Sequence, residues 1–426
     1  MDQILRTLLL DWREQKLPKT IKRDIQLDVT AQSSVRNATI ITGFRRVGKT
    51  YLLYEAIERL LKTYTHEDVV YINFEDERIT TPTTDLLTDL IPQAQSLYGK
   101  KPRYLFLDEL QLIPNWSKWV RRILDTEEIE IFITGSSSKM SSYELPTELR
   151  GRSWDIHVFP LSIEEFLRFK NETIDFVNLK YRQGERARFQ YLFEEYLRFG
   201  GLPAVVLTDE VKKSELLQIY FQTVVQKEIG ERFTIENGVA LKTLLKILIN
   251  SNAISISKLT NTIKSMQIPV GKSTINNYIS YVESSYFMKQ LYISATSVVN
   301  QIQYPRKVYF VDTGFITALS IKFSKNLGRL LENAVYNKLS QKYDTIYYYK
   351  DDNDNEVDFV IMNEGKVTEL YQVSYDISDE ETQKREVKSL LKAGKKFNCS
   401  TLRLVTMTSS LALPEEIEVI SPEKIL

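Results

Sequence analysis

Cysteine is all but missing: Cys399 stands alone in 426 residues. A single cysteine excludes a disulfide framework and a cysteine metal site. Histidine is nearly as scarce. His66 and His157 are the only two and lie far apart, so a histidine-based zinc site or a Ser-His-Asp triad is not expected, and both read as surface or core residues. No uninterrupted apolar run is long enough to span a bilayer. The start, Met1-Asp2-Gln3, lacks a basic region followed by an apolar core, so no signal peptide is expected and the expected location is cytoplasmic, without a membrane partner. Net charge is absent too. Fifty-six basic residues balance 56 acidic ones, so any nucleic-acid surface must be local. With 43% hydrophobic and 26% charged residues the composition is globular rather than disordered. The length exceeds one ordinary core, and two or three domains are expected.

The strongest positive signal is Gly43-Phe44-Arg45-Arg46-Val47-Gly48-Lys49-Thr50, a G-x-x-x-x-G-K-T pattern. The β-branched segment Ala38–Thr42 precedes it, and Tyr51–Leu61 follows with apolar residues at helical spacing. Strand, glycine turn and helix is the context a phosphate-binding P-loop requires. Gly43 and Gly48 allow a turn that points backbone N–H groups at a polyphosphate, and the helix starting at Lys49 aims its positive end at the same anion. Residues 43–51, through Tyr51, therefore form the expected ATP-binding segment. Lys49 would reach the β- and γ-phosphates, and the Thr50 hydroxyl would hold Mg²⁺.

Around this loop the chain places further candidates. Residues 4–17 are amphipathic, with Leu5, Leu8, Leu9 and Trp12 on one side, and Pro18 ends the helix; this reads as a packing helix. Asp68–Asp76 reads as a buried strand whose terminal Glu75 and Asp76 could contact Mg²⁺ water or a partner subunit or cap the next turn, the cap being favoured. Tyr104–Asp108 is a second buried strand ending in Asp108-Glu109. There Asp108 would complete the Mg²⁺ shell and Glu109 would polarise the attacking water. Ile131–Ser138 is a third, ending in hydroxyls that also suit a turn or helix cap. In Glu148-Leu149-Arg150-Gly151-Arg152, Arg152 first and Arg150 second are candidates for the cation that offsets developing phosphoryl charge, in cis or from a neighbouring copy; a solvated basic turn is the other reading.

These stretches, together with Phe159–Phe166, Phe199-Gly200-Gly201-Leu202-Pro203 and Lys307–Gly314, resemble the prokaryotic AAA-type (AAA_14) P-loop ATPases whose C-terminal part is DUF4143. The resemblance covers nearly the whole chain. It implies an α/β protein: a parallel-sheet P-loop ATPase domain with an N-terminal helix over residues 1–160, a helical connection over 161–235, a winged helix-turn-helix over 236–300, and an α/β restriction-nuclease-like domain over 301–426. It also implies that Ser136 or Ser137 senses the γ-phosphate.

Two later regions bear on partners. Residues 237–307 carry Lys242, Lys246, Lys258, Lys264, Lys272, Lys289, Arg306 and Lys307 against Glu283 alone, eight minus one, a local charge of +7. Ile254–Leu259 reads as the entry to a short helix and Gly271–Ile279 as a second, capped by Ser273. Lys272, Asn276 and small polar residues on its exposed face fit a DNA-reading helix; a protein–protein module with solvating lysines is the alternative. Restriction-type nucleases, which the C-terminal part resembles, need a helix acid, a strand Asp and a Glu-x-Lys. Glu332 and Asp358 match, but Gln372 and Ser374 stand where the acid and the lysine belong. Between Asp351 and Glu386, twelve acids face three bases, a net −9 that repels a DNA backbone. A degenerate nuclease fold used for docking or oligomer contacts is expected, with Glu356 and Asp358 still candidates for one metal. The functional expectation is an ATPase using ATP and Mg²⁺ and coupled to DNA. The alternative is a nucleotide-switched interaction module with a protein partner or a second copy. An active nuclease ranks last.

Overall fold

The computed structural model describes residues 2–29, 36–136, 149, 151–179, 181–295, 297–320, 326–408 and 413–426. The chain divides into two compact units, residues 1–159 with 284–286, and residues 160–283 with 287–426.

In the first unit, β1 (Ala38–Thr42), β2 (Val69–Asn73), β3 (Tyr104–Asp108), β4 (Glu130–Gly135) and β5 (Ser153–His157) form one sheet in the order β2-β3-β4-β1-β5. Every pairing is parallel. Parallel neighbours need crossovers, supplied by α2 (Lys49–Leu60), α3 (Thr84–Tyr98) and α4 (Trp116–Thr126). β3 is buried at all five positions, as expected of a strand covered on both faces. The N-terminal helix α1 (Asp2–Glu14) adds Leu5, Leu8 and Leu9 to the core that α3 and α4 also line. The Trp12 indole N–H donates to the Val69 carbonyl at 2.6 Å. The helix stops short of Pro18, and the amphipathic stripe is its packing face.

In the second unit, α5 (Ile163–Phe169), α6 (Gln183–Phe199), α7 (Pro203–Leu207) and α8 (Glu210–Thr223) run into a π-helical turn at Val224–Glu231. There follow α9 (Gly238–Ile249), β6 (Ala253–Ile254), α10 (Ile256–Ser265), α11 (Lys272–Ser284), β7 (Met288–Leu291), the short α12 (Val298–Gln303) and β8 (Arg306–Phe310). The strands make an antiparallel sheet, β6-β8-β7. The expected boundary at residue 300 falls inside this sheet, because β8 is its central strand. The helix expected to be capped by Ser273 begins one residue earlier, at Lys272, which leaves Ser273 exposed in the first turn.

The chain ends with α13 (Thr313–Leu319), α14 (Leu327–Lys342), β9 (Ile346–Lys350), β10 (Glu356–Asn363), β11 (Lys366–Val373), α15 (Glu380–Phe397), β12 (Leu402–Val405) and β13 (Ile417–Ile420). Their mixed sheet, β13-β12-β11-β10-β9, packs Val357, Val360 and Leu370 against Leu390 and Ala393 of α15. Gly200 and Gly201 do more than turn the chain between helices. The buried Asp312 carboxylate accepts from the N–H groups of Gly201 at 2.7 Å and Gly314 at 2.8 Å. Gly200 sits at φ +77°, and a Cβ there would lie 1.6 Å from Asp312 Oδ1, so the motifs at 199–203 and 312–314 are one packed joint. Burial pushes the Asp312 carboxyl up to about 6, against the pull of those donors.

Candidate nucleotide-binding site

The parallel sheet places the C-terminal ends of β1, β3 and β4 side by side, where ligands bind in such sheets. Gly43 leaves β1 at φ +143°, and a Cβ would meet the Val158 carbonyl oxygen at 2.3 Å, so only glycine fits this crossing. Gly48, at φ +99°, opens α2 at Lys49. Arg46 also holds a positive φ, 67°, which marks the loop as wound into a fixed shape rather than relaxed.

Lys49 is buried and turned back into the loop. Its Nζ donates to the Gly43 carbonyl at 3.1 Å and the Phe44 carbonyl at 3.3 Å, and lies 3.8 Å from Glu109 Oε1. Thr50 Oγ1 donates to Asp108 Oδ2 at 2.8 Å. Asp108 also accepts from the Tyr71 hydroxyl at 3.0 Å and from the Thr134 hydroxyl. Glu109 accepts from Ser136 Oγ at 3.2 Å and from Gln111. The two adjacent acids are set apart by these surroundings. Burial drives the Asp108 carboxyl upward, with the Glu109 charge adding to the effect. Burial acts on Glu109 too, but the Lys49 ammonium and the hydrogen bonds from Gln111 and Ser136 outweigh it and hold its carboxyl below the usual range. Neighbouring carboxylates pushed in opposite directions are a signature of divided chemical roles.

Gly43, Lys49, Thr50, Asp108, Glu109 and Ser136 are thus brought together. Arg45 pairs with Glu75 at 2.8 Å beside the loop, while Asp76 accepts from the Arg78 backbone N–H at 3.0 Å and caps its turn. Phe44 and Val47 are buried, and Tyr51 is exposed with its ring edge on Tyr54. Arg152 is not brought to the loop. Its carbonyl accepts from the Ala38 N–H at the start of β1, and its side chain pairs with Asp125. β1 and β5 are parallel, with Ala38 beside Ser153 and Thr42 beside His157. Arg152 therefore lies at the opposite end of the strands, four strand steps or about 13 Å from Thr42. In its own chain it cannot touch a phosphate bound at Lys49. Arg150 and Ser137 lie outside the described residues.

Several partners escaped the sequence reading. The buried Arg23 donates to the Val47 carbonyl at 2.9 Å and the Phe159 carbonyl at 3.0 Å, clamping the loop from an extended segment with no periodic signal. Tyr71 and Thr134 reach Asp108 from the two neighbouring strands, a placement that follows from register. His157 is a structural partner as expected, its Nδ1 3.1 Å from Thr42 Oγ1.

The basic segment of the second unit is less uniform than its composition. Lys242, Lys246, Lys258, Lys264 and Lys272 are exposed, as are Ser273, Asn276, Asn277 and Ser280 along one face of α11. Arg306 turns inward to Gln290 Oε1 at 2.9 Å. Lys307 is buried, its Nζ against Glu332 Oε1 at 3.0 Å, Glu356 Oε1 at 2.6 Å and Asp358 Oδ1 at 2.8 Å, and so adds nothing to a surface potential. Gln372 donates to Glu386 Oε2 at 2.5 Å, and the Ser374 hydroxyl donates to the Asp376 carbonyl at 3.1 Å. Among the described residues, no helix is long and apolar enough to cross a membrane.

Residues 35–167 match the model of an AAA domain, AAA_14. Residues 190–326 match a domain of unknown function, DUF8612, and residues 327–422 another, DUF4143, so the three-stranded sheet falls outside the DUF4143 match. The chain is similar to an uncharacterized protein of Methanocaldococcus jannaschii, 36% identical over 400 residues, covering 92% of this chain and 86% of that one. It is also similar to an uncharacterized protein of Haemophilus influenzae, 30% identical over 255 residues, with 58% and 60% covered. Among solved structures it is similar to the Walker-type ATPase of Pyrococcus abyssi at a TM-score of 0.43 and 13% identity, covering 67% of this chain and 91% of that one.

Proposed function

The chain belongs to the AAA-domain P-loop ATPases with a C-terminal DUF4143 region, and on that premise we propose that it hydrolyses ATP with Mg²⁺ and couples its nucleotide state to DNA. The observation that carries the hydrolysis is the Glu109 carboxylate, kept ionised beside Lys49 and Ser136 and next to the Thr50–Asp108 pair. The fit of Mg²⁺ rests on the donor set: a hydroxyl and a carboxylate oxygen converge within 2.8 Å of each other, both hard oxygen ligands suited to that ion. Thr50 and Asp108 would hold it, and when bound it offsets the charge of the phosphates.

The loop N–H groups from Arg45 to Lys49 bind the phosphate oxygens. Lys49 exchanges two carbonyl acceptors for phosphate oxygens, a stronger, charge-assisted bond. Glu109 orients a water for attack and accepts its proton, and Ser136 marks the γ-phosphate position. Thr134 and Tyr71 fix the Asp108 rotamer. Arg152 acts on a neighbouring copy, which makes a homo-oligomer the working form. Residues 236–300, extended through β8, form the winged helix, with 1–160 the ATPase, 161–235 the helical connection and the rest of 301–426, after β8, a nuclease-like domain without cleavage activity. The location is the cytoplasm.

DNA binding is supported by the exposed lysines of α9, α10 and α11 and the polar face of α11. One observation favours protein as the partner instead: α12, between β7 and β8, exposes Val298, Val299, Ile302 and the adjoining Tyr304, an apolar cluster of the kind that marks contact with another protein. Steady-state ATP hydrolysis with and without duplex, single-stranded and branched DNA separates the two. Stimulation by DNA supports coupling. A slow rate indifferent to all three rejects it in favour of the protein partner.

A further inference from the structure

The nuclease resemblance of the C-terminal region implies a divalent metal held by Glu332 and Asp358, with Glu356 beside Asp358 a further candidate, and the arrangement of these residues does not fit one. We propose that the Lys307 ammonium is the resident cation of this pocket, and that the pocket takes a divalent metal only when that ammonium is removed.

The three carboxylates come from different places, Glu332 from α14 and Glu356 and Asp358 from β10, yet all converge on one nitrogen at 2.6–3.0 Å. A lysine ammonium has three N–H donors; Lys307 donates to Glu332 Oε1 and Asp358 Oδ1, and Glu356 Oε1 stands against it as an ion pair. Two of the three carboxylates also accept from other donors. Asp358 Oδ2 accepts from the Val373 N–H at 2.9 Å, and Glu332 Oε1 accepts from the Tyr309 hydroxyl at 2.6 Å. Lys307 is delivered by β8 of the three-stranded sheet, so the joint fastens that sheet to α14 and β10. The lost Glu-x-Lys makes sense in this light: Gln372 and Ser374 bring neither a ligand nor a second cation to a pocket that already holds a cation from the other side.

The inference rests on the second unit and stands or falls apart from the ATPase reading. Its test counts bound Mn²⁺ by loss of the free-ion EPR signal, using nucleotide-free full-length chain carrying Asp108→Asn to silence the P-loop carboxylate. With Lys307 intact, Asp358→Asn should leave the count unchanged at millimolar Mn²⁺. Lys307→Met should add one equivalent, removed again by Asp358→Asn. If Lys307→Met fails to fold without metal, the charge-reduced pair Lys307→Met with Glu332→Gln takes its place, with the same gain expected at Glu356 and Asp358. An ion bound in the presence of Lys307 and lost on Asp358→Asn overturns the proposal. So does the absence of any added ion in a folded variant lacking Lys307.

Discussion

Lys49 and Lys307 are both buried beside carboxylates, and they are held in opposite ways. Lys49 rests on two backbone carbonyls at 3.1 and 3.3 Å, with its one carboxylate, Glu109, at 3.8 Å. Lys307 is gripped by three carboxylates, none farther than 3.0 Å. Neutral carbonyl acceptors are weak enough to give way to an arriving phosphate, whereas a cation enclosed by three anions has no reason to leave. The difference teaches that a buried lysine beside acids is not in itself a functional sign. What separates a poised site from a closed one is how strongly the resting partners compete with the ligand.

The sharpest way to break this comparison is to remove each lysine in turn. Lys49→Ala should lower ATP hydrolysis by about a hundredfold or more, as loss of a preorganised electrostatic group does, with little change in the urea midpoint. Lys307→Met should do the reverse. It strands buried carboxylates and should cost about 3–5 kcal/mol in urea unfolding, while hydrolysis per folded molecule holds.

The next effect concerns Asp312, a buried acid with no ion pair among the described residues. Its folded pKa of about 6 lies above the ordinary carboxylate value, so the protonated form favours folding. The stability it supplies is full below about pH 4 and lost as pH rises through 6, by up to about 3 kcal/mol. Asp312→Asn should remove that contribution, seen as a change in slope of unfolding free energy against pH between 4 and 7. An unchanged slope would place the titration elsewhere. A smaller effect is expected at Thr134, whose hydroxyl contacts Asp108 on one side and accepts from the Glu109 N–H at 3.0 Å on the other. Thr134→Val leaves both without that partner and should destabilise by about 1–3 kcal/mol while raising the Mg²⁺ concentration needed for half-maximal hydrolysis. Equal Mg²⁺ requirements in both proteins would show that Thr134 has no part in placing Asp108.

The P-loop and the Asp108-Glu109 strand tip were legible because their information is local: glycine spacing, a β-branched run before the loop and helical periodicity after it. The parallel sheet followed from the alternation of such units. Legibility failed where the information is carried by register. Arg152 is close to the loop in motif order but at the other end of the strands in space, because β5 runs parallel to β1 and enters beside Ala38. Lys307 counted toward a basic surface because composition cannot tell an inward strand position from an outward one. The same blindness hid Arg23, Tyr71 and Thr134, each of which meets the site through a fold-level contact. In the second unit, Glu332, Asp358 and the missing Glu-x-Lys were readable by position, but not the cation that replaces the metal.

The account's central claim is that the Lys49 pocket is the poised one. Its most direct test is steady-state ATP hydrolysis by the full chain beside Lys49→Ala and Glu109→Gln, with nucleotide binding followed in parallel. The account predicts Mg²⁺-dependent turnover in the unaltered chain. It also predicts a turnover defect of about a hundredfold or more in Glu109→Gln, with ATP still bound, and loss of turnover in Lys49→Ala. Turnover by either variant at the rate of the unaltered chain would contradict it.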